Sequence, residues 1–319
     1  MSGSETRSPR RGERPVFSYS VRAGIRHIAG MNWRERELVA ELNPRRHHIL
    51  ADDKILAKKR LEAHGVPVPK TIAVIEGMRD VDHVKHILDR HEHFVIKPAR
   101  GRAGSGIAVL GPKVEDGWHG SPWNFWDEKD IRQQVGNILI GEYAMRTRDR
   151  ALIEERIFTG PVLGDMPMFG LPDIRVITLG GTPVMSMVRL PTKRSGGKAN
   201  LHLGALGIGV DLVTGVTTGA TWCGRIVTHH PETKQRLSRM QVNLWDEVIK
   251  TARQAALAFP LGYLGIDIVI TQEGRPVVLE VNARPGLEIQ NANLRGLRKE
   301  IARVLAEQRK TSVGWDPRS

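Results

Sequence analysis

The sequence predicts an α+β fold, and three observations support this class. Apolar residues recur at helical spacing in some segments, as at Val248, Ala252 and Ala255. Other segments are short apolar runs separated only by turns, as at 174–179 and 183–190, which favours neighbouring strands over a regular strand–helix alternation. The chain has 319 residues, 40% of them hydrophobic, and can therefore bury the core of one large or two ordinary soluble domains.

The first half of the chain is predicted to mix helices and short strands. A first helical region runs from about Trp33 to Leu42. A second helix follows Asp52 or Asp53, which can cap it, and ends at Gly65 before a Pro-rich break. Next come a strand, a helix with apolar residues at helical spacing, and another strand, at 71–75, at Val81, Val84 and Leu88, and at 94–98. The segment 111–127, rich in Gly, Trp, Pro and Asp, is expected to be an inserted loop.

The second half is predicted to be richer in strands. Strands are expected at Leu152, at 174–179 and at 183–190, with a turn at Gly180-Gly181. Helical spacing returns twice near the end of the chain, first with Leu244, Val248, Ala252, Ala255 and Ala256, and then with Leu294, Leu297, Ile301 and Leu305.

Composition limits the classes of function. The net charge of +13 favours polyanionic partners such as nucleotide phosphates, acidic peptides, nucleic acid or anionic membrane surfaces, without choosing among them. A nucleic-acid site is disfavoured, because no basic stripe carries interleaved aromatic residues. No apolar run approaches the roughly 18 residues needed to span a bilayer, and the polar start of the chain lacks a signal core. With a single cysteine, Cys223, to which we assign no catalytic role, the protein is expected to be cytoplasmic, and an oligomer is compatible with the sequence.

The most informative feature is a candidate metal site on a β-hairpin. Two β-branched runs flank a Gln-Glu-Gly-Arg segment, in which the glycine signals a turn. If Glu273-Gly274 is a two-residue turn, Asp267 lies opposite Glu280, and Asn282 shares their face because strand side chains alternate. Two facing carboxylates and an amide suit Mg²⁺, which prefers hard oxygen ligands. A three-residue loop with a bulge would shift this pairing by one position, and the acids can also form a solvated face.

A second candidate site is a strand that ends in Lys97 and leads into a glycine-rich loop. The loop contains Gly101, Gly104, Ser105 and Gly106. Glycines let backbone amides approach phosphate oxygens, and the lysine adds a positive charge. The glycine spacing matches a Walker A loop, but Ile107 stands where that motif has its lysine, and a strand rather than a helix follows. An ordinary flexible hairpin loop is the alternative interpretation.

Weaker signals point to an anion and to a purine. Lys54, in the first turn of its helix, lies unfavourably against the helix dipole, which a bound anion would relieve; a solvated lysine is the simpler interpretation. The run Leu152–Ile157 is an apolar strand ending in acids, where a purine could lie against Ile157 while Glu155 meets its polar edge. Further polar groups follow at Asp173, Arg175, Lys198 and Asn200, with Arg189, Lys193 and Arg194 nearby in sequence. Only some of these can matter, because most basic side chains are solvated.

The order of these features resembles the ATP-grasp superfamily. It consists of a helix lysine, a strand lysine with a glycine loop, an acidic strand end and an Asp/Glu/Asn hairpin. Within the superfamily, the chain is most similar to the RimK-like α-L-glutamate ligases and their homologues over about residues 43–298. The similarity is carried by Asp52-Asp53-Lys54 with Gly65-Val66-Pro67, by Ala199-Asn200-Leu201-His202, and by Glu280-Val281-Asn282-Ala283-Arg284-Pro285-Gly286. The last motif is fairly specific.

This resemblance implies a role for each matching residue. ATP phosphates would be bound by Lys54 and Lys97 and covered by the loop with Gly101, Gly104, Ser105 and Gly106. The adenine pocket would consist of Glu155, Arg156 and Ile157, with Asp173 near the ribose. The catalytic residues would be Arg175, which holds an acyl phosphate, together with Lys198 and Asn200. Two Mg²⁺ or Mn²⁺ ions would be bound by Asp267, Glu280 and Asn282.

The resemblance also implies an ATP-grasp fold of two α+β lobes that clamp the nucleotide. The expected division is a flexible basic tail, a helical N-terminal region in place of the usual preceding domain, an ATP-grasp domain and a second tail, at 1–16, 17–50, 51–310 and 311–319. Within the ATP-grasp domain, the nucleotide-clamping lobe would span about 90–158 and the metal-site lobe about 159–310. The short N-terminal region leaves the acceptor surface undefined.

The implied chemistry is ATP-dependent ligation of a carboxylate to an amine through an acyl phosphate, with charge stabilisation rather than a nucleophilic side chain. Glutamate or a related amino acid is the favoured amine substrate, and a peptide or protein carboxyl terminus or a small carboxylate is the expected acceptor. The alternatives are an ATP-grasp ligase or phosphotransferase for another small metabolite, and a nucleotide-binding regulatory protein without turnover.

Overall fold

Two antiparallel sheets with helices packed against them make up the fold, which is α+β as the sequence predicts. The computed structural model describes residues 27–101, 104–120 and 124–310. The two predicted tails, 1–16 and 311–319, lie outside these residues, as does the start of the predicted N-terminal helical region.

The helices lie mostly before and after the strands of each sheet. In chain order they are α1 (Met31–Trp33), α2 (Ala40–Leu42), α3 (Ile49–Asp52), α4 (Lys54–Ala63), α5 (Val84–Leu88), α6 (Glu128–Leu139), α7 (Trp245–Leu257), α8 (Glu288–Ala292) and α9 (Leu297–Lys310). A π-helical segment, Arg34–Val39, joins α1 to α2, and 3₁₀ turns lie at Arg45–His47, Met78–His83 and Leu201–Leu203. In the described part of the chain, no helix is both long and apolar enough to cross a membrane.

The first sheet has six strands in the order β1-β6-β2-β3-β4-β5. The strands are β1 (Thr71–Ile75), β2 (Phe94–Pro98), β3 (Ala108–Val114), β4 (Gly117–Gly120), β5 (Phe125–Trp126) and β6 (Ala151–Glu155). Helices α5 and α6 cover one face, where Leu88, Phe94 and Ile131 are fully buried. This sheet begins at β1, earlier in the chain than the predicted lobe boundary near residue 90.

The second sheet has seven strands in the order β11-β10-β9-β8-β7-β12-β13. They are β7 (Asp173–Leu179), β8 (Thr182–Leu190), β9 (Leu206–Val210), β10 (Thr217–Trp222), β11 (Arg225–Ile226), β12 (Tyr263–Ile270) and β13 (Pro276–Asn282). One face packs against α7 through Val176, Ile266 and Val248. The apolar half of the other face, with Ile177 and Tyr263, packs against the N-terminal helices and α9. The other half of that face is polar.

Two sequence expectations were wrong. The segment 111–127 is not a free loop, since it holds the end of β3 together with β4 and β5, which extend the first sheet. Burial of Trp118, whose ring contacts Phe94 edge-on at 5.3 Å, stabilises these strands. Leu294 does not belong to the last helix; it is exposed, has a φ of 52°, and precedes α9.

The N-terminal region is held to the end of the β12–β13 hairpin by Asn43. The Asn43 amide nitrogen donates to the carbonyl oxygens of Tyr263 at 2.7 Å and Ala283 at 2.9 Å. Its amide oxygen accepts from the Tyr263 backbone nitrogen at 2.9 Å. The side chain is 1% exposed, so all three bonds are made away from water. Asn43 therefore joins the N-terminal helices to the strands that carry the hairpin acids.

We expect Asn43→Ala to lower the free energy of unfolding by about 2–4 kcal/mol, because it leaves buried backbone groups of β12 and the hairpin end without partners. Urea unfolding followed by circular dichroism measures this change. Asn137→Ala, in a helix and without a side-chain hydrogen bond to any described residue, is the matched control and should be close to neutral. An equally mild effect of both substitutions would contradict the role of Asn43.

Candidate active site

The β12–β13 hairpin places Asp267 opposite Glu280, as the sequence predicts. The turn differs from the expected two-residue turn, since Ile270 pairs with Pro276 and five residues lie between them. This longer loop shifts the register by one residue, and a bulge between the pairs Ile268–Val278 and Asp267–Glu280 shifts it back. The expected two-residue turn is therefore absent, and the longer loop and the bulge together keep the two carboxylates on one face.

Asp267 is the centre of a buried charge network on the polar half of the second sheet. The side chain is 2% exposed. Arg175 on β7 donates to both carboxylate oxygens, at 2.7 and 2.6 Å, and Arg189 on β8 donates to Oδ2 at 2.7 Å. Asn282 donates to the same oxygen at 3.3 Å. Burial alone would raise the pKa of Asp267, but the two guanidinium groups outweigh it and lower the pKa below its usual value.

Asp173 belongs to the same network. Both of its carboxylate oxygens accept hydrogen bonds from Arg189, at 2.5 and 2.6 Å. Burial raises the pKa of Asp173, Arg189 opposes this, and the nearby Asp267 carboxylate raises the pKa further. In this structure the carboxylate orients Arg189 toward Asp267. The predicted contact between Asp173 and a ribose stays a prediction.

A cleft separates β13 from the first sheet. On the first-sheet side of this cleft, Glu154 on β6 is buried between two lysines. The Lys58 ammonium donates to Glu154 Oε1 at 2.8 Å, and Lys97 forms an ion pair with Oε2. Burial alone would raise the pKa of Glu154, but Lys97 and Lys58 outweigh it, so the net shift is downward. Burial also lowers the pKa of Lys58, which Glu154 only partly offsets. The two lysines therefore stabilise the charged form of Glu154, whereas burial destabilises the charged form of Lys58.

Lys54 connects the two sides of the cleft. Asp53 caps α4 by accepting from the backbone nitrogens of Ile55 and Leu56, which places Lys54 at the first position of the helix. The Lys54 ammonium donates to the Gly101 carbonyl oxygen at 2.8 Å and lies 3.4 Å from Glu280 Oε1. The anion predicted near this helix end is thus supplied by the chain itself. The cleft is lined by Lys54, Lys58, Lys97, Glu154 and Glu280.

The glycine-rich loop is anchored at both of its described ends. At one end, Gly101 accepts the hydrogen bond from Lys54. At the other end, Gly106 has a φ of 74°, and a side chain there would lie 2.5 Å from the Tyr143 ring. The Gly106 carbonyl oxygen accepts from Gln134 at 2.7 Å, and Gln134 in turn accepts from the Tyr143 hydroxyl at 3.1 Å. Gly104 and Ser105 lie between these anchors, and residues 102–103 are outside the described part.

The acids at the end of β6 point in different directions. Glu154 faces the cleft, whereas Glu155 is partly exposed and forms an ion pair with Lys70 at 2.8 Å. Arg156 donates to the Gly111 carbonyl oxygen and lies over the Phe158 ring, and Ile157 is partly buried. The adenine contacts predicted for Glu155, Arg156 and Ile157 stay predictions.

Lys198 and Asn200 lie in the connection between β8 and β9. Lys198 is exposed and forms no ion pair with any other described residue. Asn200 caps the 3₁₀ turn Leu201–Leu203, since its side-chain oxygen accepts from the His202 backbone nitrogen at 2.9 Å. Their predicted contacts with nucleotide or phosphate stay predictions.

Sequence reasoning missed two members of the cleft, Lys58 and Glu154, and the ion pairs that Arg189 forms with Asp173 and Asp267. A signal existed for Lys58, because it lies one helical turn after Lys54 and therefore on the same face. Glu154 could be placed only from the strand pairing, which brings Val95 opposite Glu154 and so sets Lys97 diagonally across from it.

The hairpin offers a ligand set that suits a hard divalent cation. Glu280 is partly exposed, and Asn282 adds an amide, whereas both oxygens of Asp267 are engaged by arginines. Among residues 27–101, 104–120 and 124–310, no three His, Cys, Asp or Glu side chains form a complete metal cage. Mg²⁺ is typically bound by one or two carboxylates together with phosphates and water. The donors present fit this mode of binding and not a site made by protein alone.

A model of the sugar-transfer associated ATP-grasp family matches residues 33–306, which is most of the chain. The resemblance to ATP-grasp proteins is thereby confirmed, and the finer assignment to RimK-like glutamate ligases is not. None of the curated proteins matches the sequence significantly.

Among solved structures, the chain is similar to the ATP-grasp ligase PsnB complexed with minimal precursor, at 16% identity and a TM-score of 0.45, covering 84% of this chain and 63% of that one. It is similar to D-alanine–D-alanine ligase from Bacillus anthracis complexed with ATP, at 16% identity and a TM-score of 0.45, covering 82% and 67%. D-cycloserine synthetase DcsG gives 15% identity and a TM-score of 0.46, covering 88% and 82%. The chain thus spans less than two thirds of the PsnB structure.

We expect Glu154→Gln to lower the free energy of unfolding at pH 7 by about 2–4 kcal/mol, because it leaves two buried ammonium groups without a carboxylate. A carboxylate with a depressed folded-state pKa stabilises the protein above its unfolded pKa of about 4.3, and this stabilisation is lost as the pH falls through the folded pKa. The difference between wild type and variant should therefore shrink below about pH 4.

Urea unfolding at a series of pH values measures this difference. Glu155→Gln is the matched control, since it removes only the exposed pair with Lys70 and should change stability little. If the free energies of unfolding of wild type and Glu154→Gln differed by a constant amount from pH 7 to pH 3, an ionised Glu154 between Lys58 and Lys97 would be contradicted.

Proposed function

Because the chain belongs to the sugar-transfer associated ATP-grasp family, we propose that it is an ATP-dependent ligase that joins a carboxylate to an amine. The observation that carries this proposal is the arrangement of charges across the cleft. Lys97 on the first sheet and Lys54 at the start of α4 face Glu280 on the second sheet. Two cations opposite a carboxylate with free coordination sites form a suitable environment for a nucleotide phosphate that carries a divalent metal.

In this proposal Glu280 and Asn282 hold Mg²⁺ or Mn²⁺, with the remaining ligands supplied by phosphate and water, and Asp267 joins them where the metal displaces one of its arginine contacts. When bound, the metal neutralises charge on the transferring phosphoryl group. The ammonium groups of Lys54 and Lys97 neutralise the other phosphate oxygens. Lys54 then exchanges Glu280 for phosphate, and Lys97 exchanges part of its contact with Glu154, so the site gains no uncompensated positive charge.

The proposed reaction has two steps. An oxygen of the acceptor carboxylate forms a bond to the γ-phosphorus of ATP while the bond from that phosphorus to the β–γ bridging oxygen breaks, and ADP leaves with the electron pair. The amine nitrogen then bonds to the acyl carbon, phosphate leaves, and the nitrogen loses a proton. Arg175 stabilises the acyl phosphate through Nη1, because its Nε and Nη2 are already bound to Asp267.

Two observations point to different substrates. Glutamate as the amine substrate rests on the resemblance to RimK-like ligases. The family description favours a second candidate, an acceptor that takes part in sugar transfer. A test panel should therefore contain amino acids, acidic peptides, and sugar acids.

The reaction class is tested by isotope transfer. The protein is incubated with Mg²⁺-ATP, the amine panel, and acceptors labelled with ¹⁸O in the carboxylate, and the released phosphate is analysed by mass spectrometry. An acyl phosphate intermediate moves one ¹⁸O from each activated carboxylate into inorganic phosphate. Unlabelled phosphate accompanied by an amide product would contradict the intermediate. Tight ATP binding without turnover across the panel would instead favour the nucleotide-binding regulatory protein.

We expect Glu280→Gln to lower kcat by at least about 100-fold, because the amide cannot supply the negative charge that holds the metal. Initial rates of ADP release over a range of Mg²⁺ concentrations measure the effect, and thermal unfolding checks that the variant is folded. Glu273→Gln, an exposed acid in the turn of the same hairpin, is the matched control. Near-normal turnover by Glu280→Gln would rule out the assigned metal site.

A further inference from the structure

The connection between β8 and β9, residues 191–205, carries only positive charge. It contains Lys193, Arg194 and Lys198 together with His202, and it contains no Asp or Glu. The three cations are exposed, and none forms an ion pair with another residue in the described parts of the chain. Elsewhere around the cleft, basic groups such as Lys97 and Arg175 are paired with acids. The β8–β9 loop is therefore a cationic surface, and within the described residues no acid forms an ion pair with its lysines or its arginine.

This loop is fixed by internal hydrogen bonds. Thr192 Oγ1 donates to the Gly204 carbonyl oxygen at 2.8 Å, and the Thr192 backbone nitrogen donates to Ser195 Oγ at 3.0 Å. The Trp222 indole nitrogen, on the neighbouring strand, also donates to Gly204, at 2.8 Å. Because both ends are tied together and to β10, the cations are presented without a large cost of ordering the loop on binding.

The loop lies beside the buried charge network of the candidate active site. Gly207 on β9 pairs with Arg189 on β8. The Leu201 side chain packs on Gly207, where an added Cβ would lie 2.7 Å from it. The 3₁₀ turn that contains Leu201 therefore covers the sheet next to Arg189, which binds Asp267. A carboxylate activated at Arg189 would therefore have the adjoining part of its molecule next to this turn of the loop.

Lys193 and Arg194 are positioned by contacts that leave their charges available. The Lys193 ammonium lies over the Phe169 ring, 5.7 Å from its centre. The aliphatic part of Arg194 lies against Gly204. The nearby acid Glu232 accepts from the Lys193 backbone nitrogen at 3.1 Å and forms no ion pair with the Lys193 ammonium. Both positive groups are therefore held in place without a carboxylate partner among residues 27–101, 104–120 and 124–310.

We propose that the β8–β9 loop binds the acceptor and that Lys193 and Arg194 select an oligocarboxylate. Such an acceptor carries further carboxylates beside the one that is activated. This inference rests on the proposed ligase function and adds the substrate class to it. The supporting observations are the charge of the loop, its fixed conformation and the place of its 3₁₀ turn beside Arg189. Acidic peptides and acidic oligosaccharides share this chemistry.

The test measures binding of tetraglutamate and of trigalacturonate to the full-length protein by isothermal titration calorimetry, in the presence of Mg²⁺ and a non-hydrolysable ATP analogue. The variant is Lys193→Glu with Arg194→Glu. The matched control is Lys250→Glu with Arg253→Glu, which makes the same charge change at exposed positions of α7, on the face of the sheet opposite Arg189 and the Leu201 turn. Binding of the ATP analogue alone is measured for every protein.

We expect the loop variant to bind at least one oligocarboxylate more than 10-fold more weakly than wild type, with unchanged affinity for the ATP analogue, and the control to lose less than 3-fold. The probe that binds wild type identifies the acceptor as peptide or saccharide. Equal losses in loop variant and control, or no binding of either probe to wild type, would overturn the proposal. Loop-dependent probe binding without any binding of the ATP analogue would instead contradict the ligase function and leave the acceptor site standing.

Discussion

Mutual neutralisation of buried charges determines how the candidate active site is built. Asp267 is held by Arg175 and Arg189, and Glu154 is held by Lys58 and Lys97. A buried carboxylate without such partners would cost several kcal/mol. Each partner is also a group that can bind phosphate, and in the proposed site Lys97 exchanges part of its contact with Glu154 for the nucleotide.

The charges also explain how two separately packed sheets can share one site. Each sheet buries its own apolar core, and the cleft between them is polar and is spanned by the contact between Lys54 and Glu280. That contact is 3.4 Å long and partly exposed, so it is weak. The hairpin side is more firmly held, because Asn43 joins it to the N-terminal helices. A ligand can therefore replace the bridge without disturbing either core.

Local patterns in the sequence predicted the α+β class, the strands at 71–75 and 94–98, and the pairing of Asp267 with Glu280. Strand alternation and turn signals act over a few residues, so these features could be derived. The partners of Glu154 could not be predicted, because they depend on which strands become neighbours. The strands around Trp118 were missed because a composition rich in Gly and Pro hid a buried aromatic residue. The compensating bulge on β13 likewise depends on tertiary structure and not on a sequence signal.

A crystal structure with Mn²⁺ and a non-hydrolysable ATP analogue tests the central claim most directly, because anomalous scattering locates the ion independently of the phosphates. We expect a Mn²⁺ peak about 2.0–2.3 Å from oxygens of Glu280 and Asn282, with Lys54 moved from Glu280 onto a phosphate and Lys97 in contact with the nucleotide. Nucleotide bound elsewhere, or Mn²⁺ away from the hairpin while Lys54 still contacts Glu280, would contradict a shared metal–nucleotide site between the two sheets.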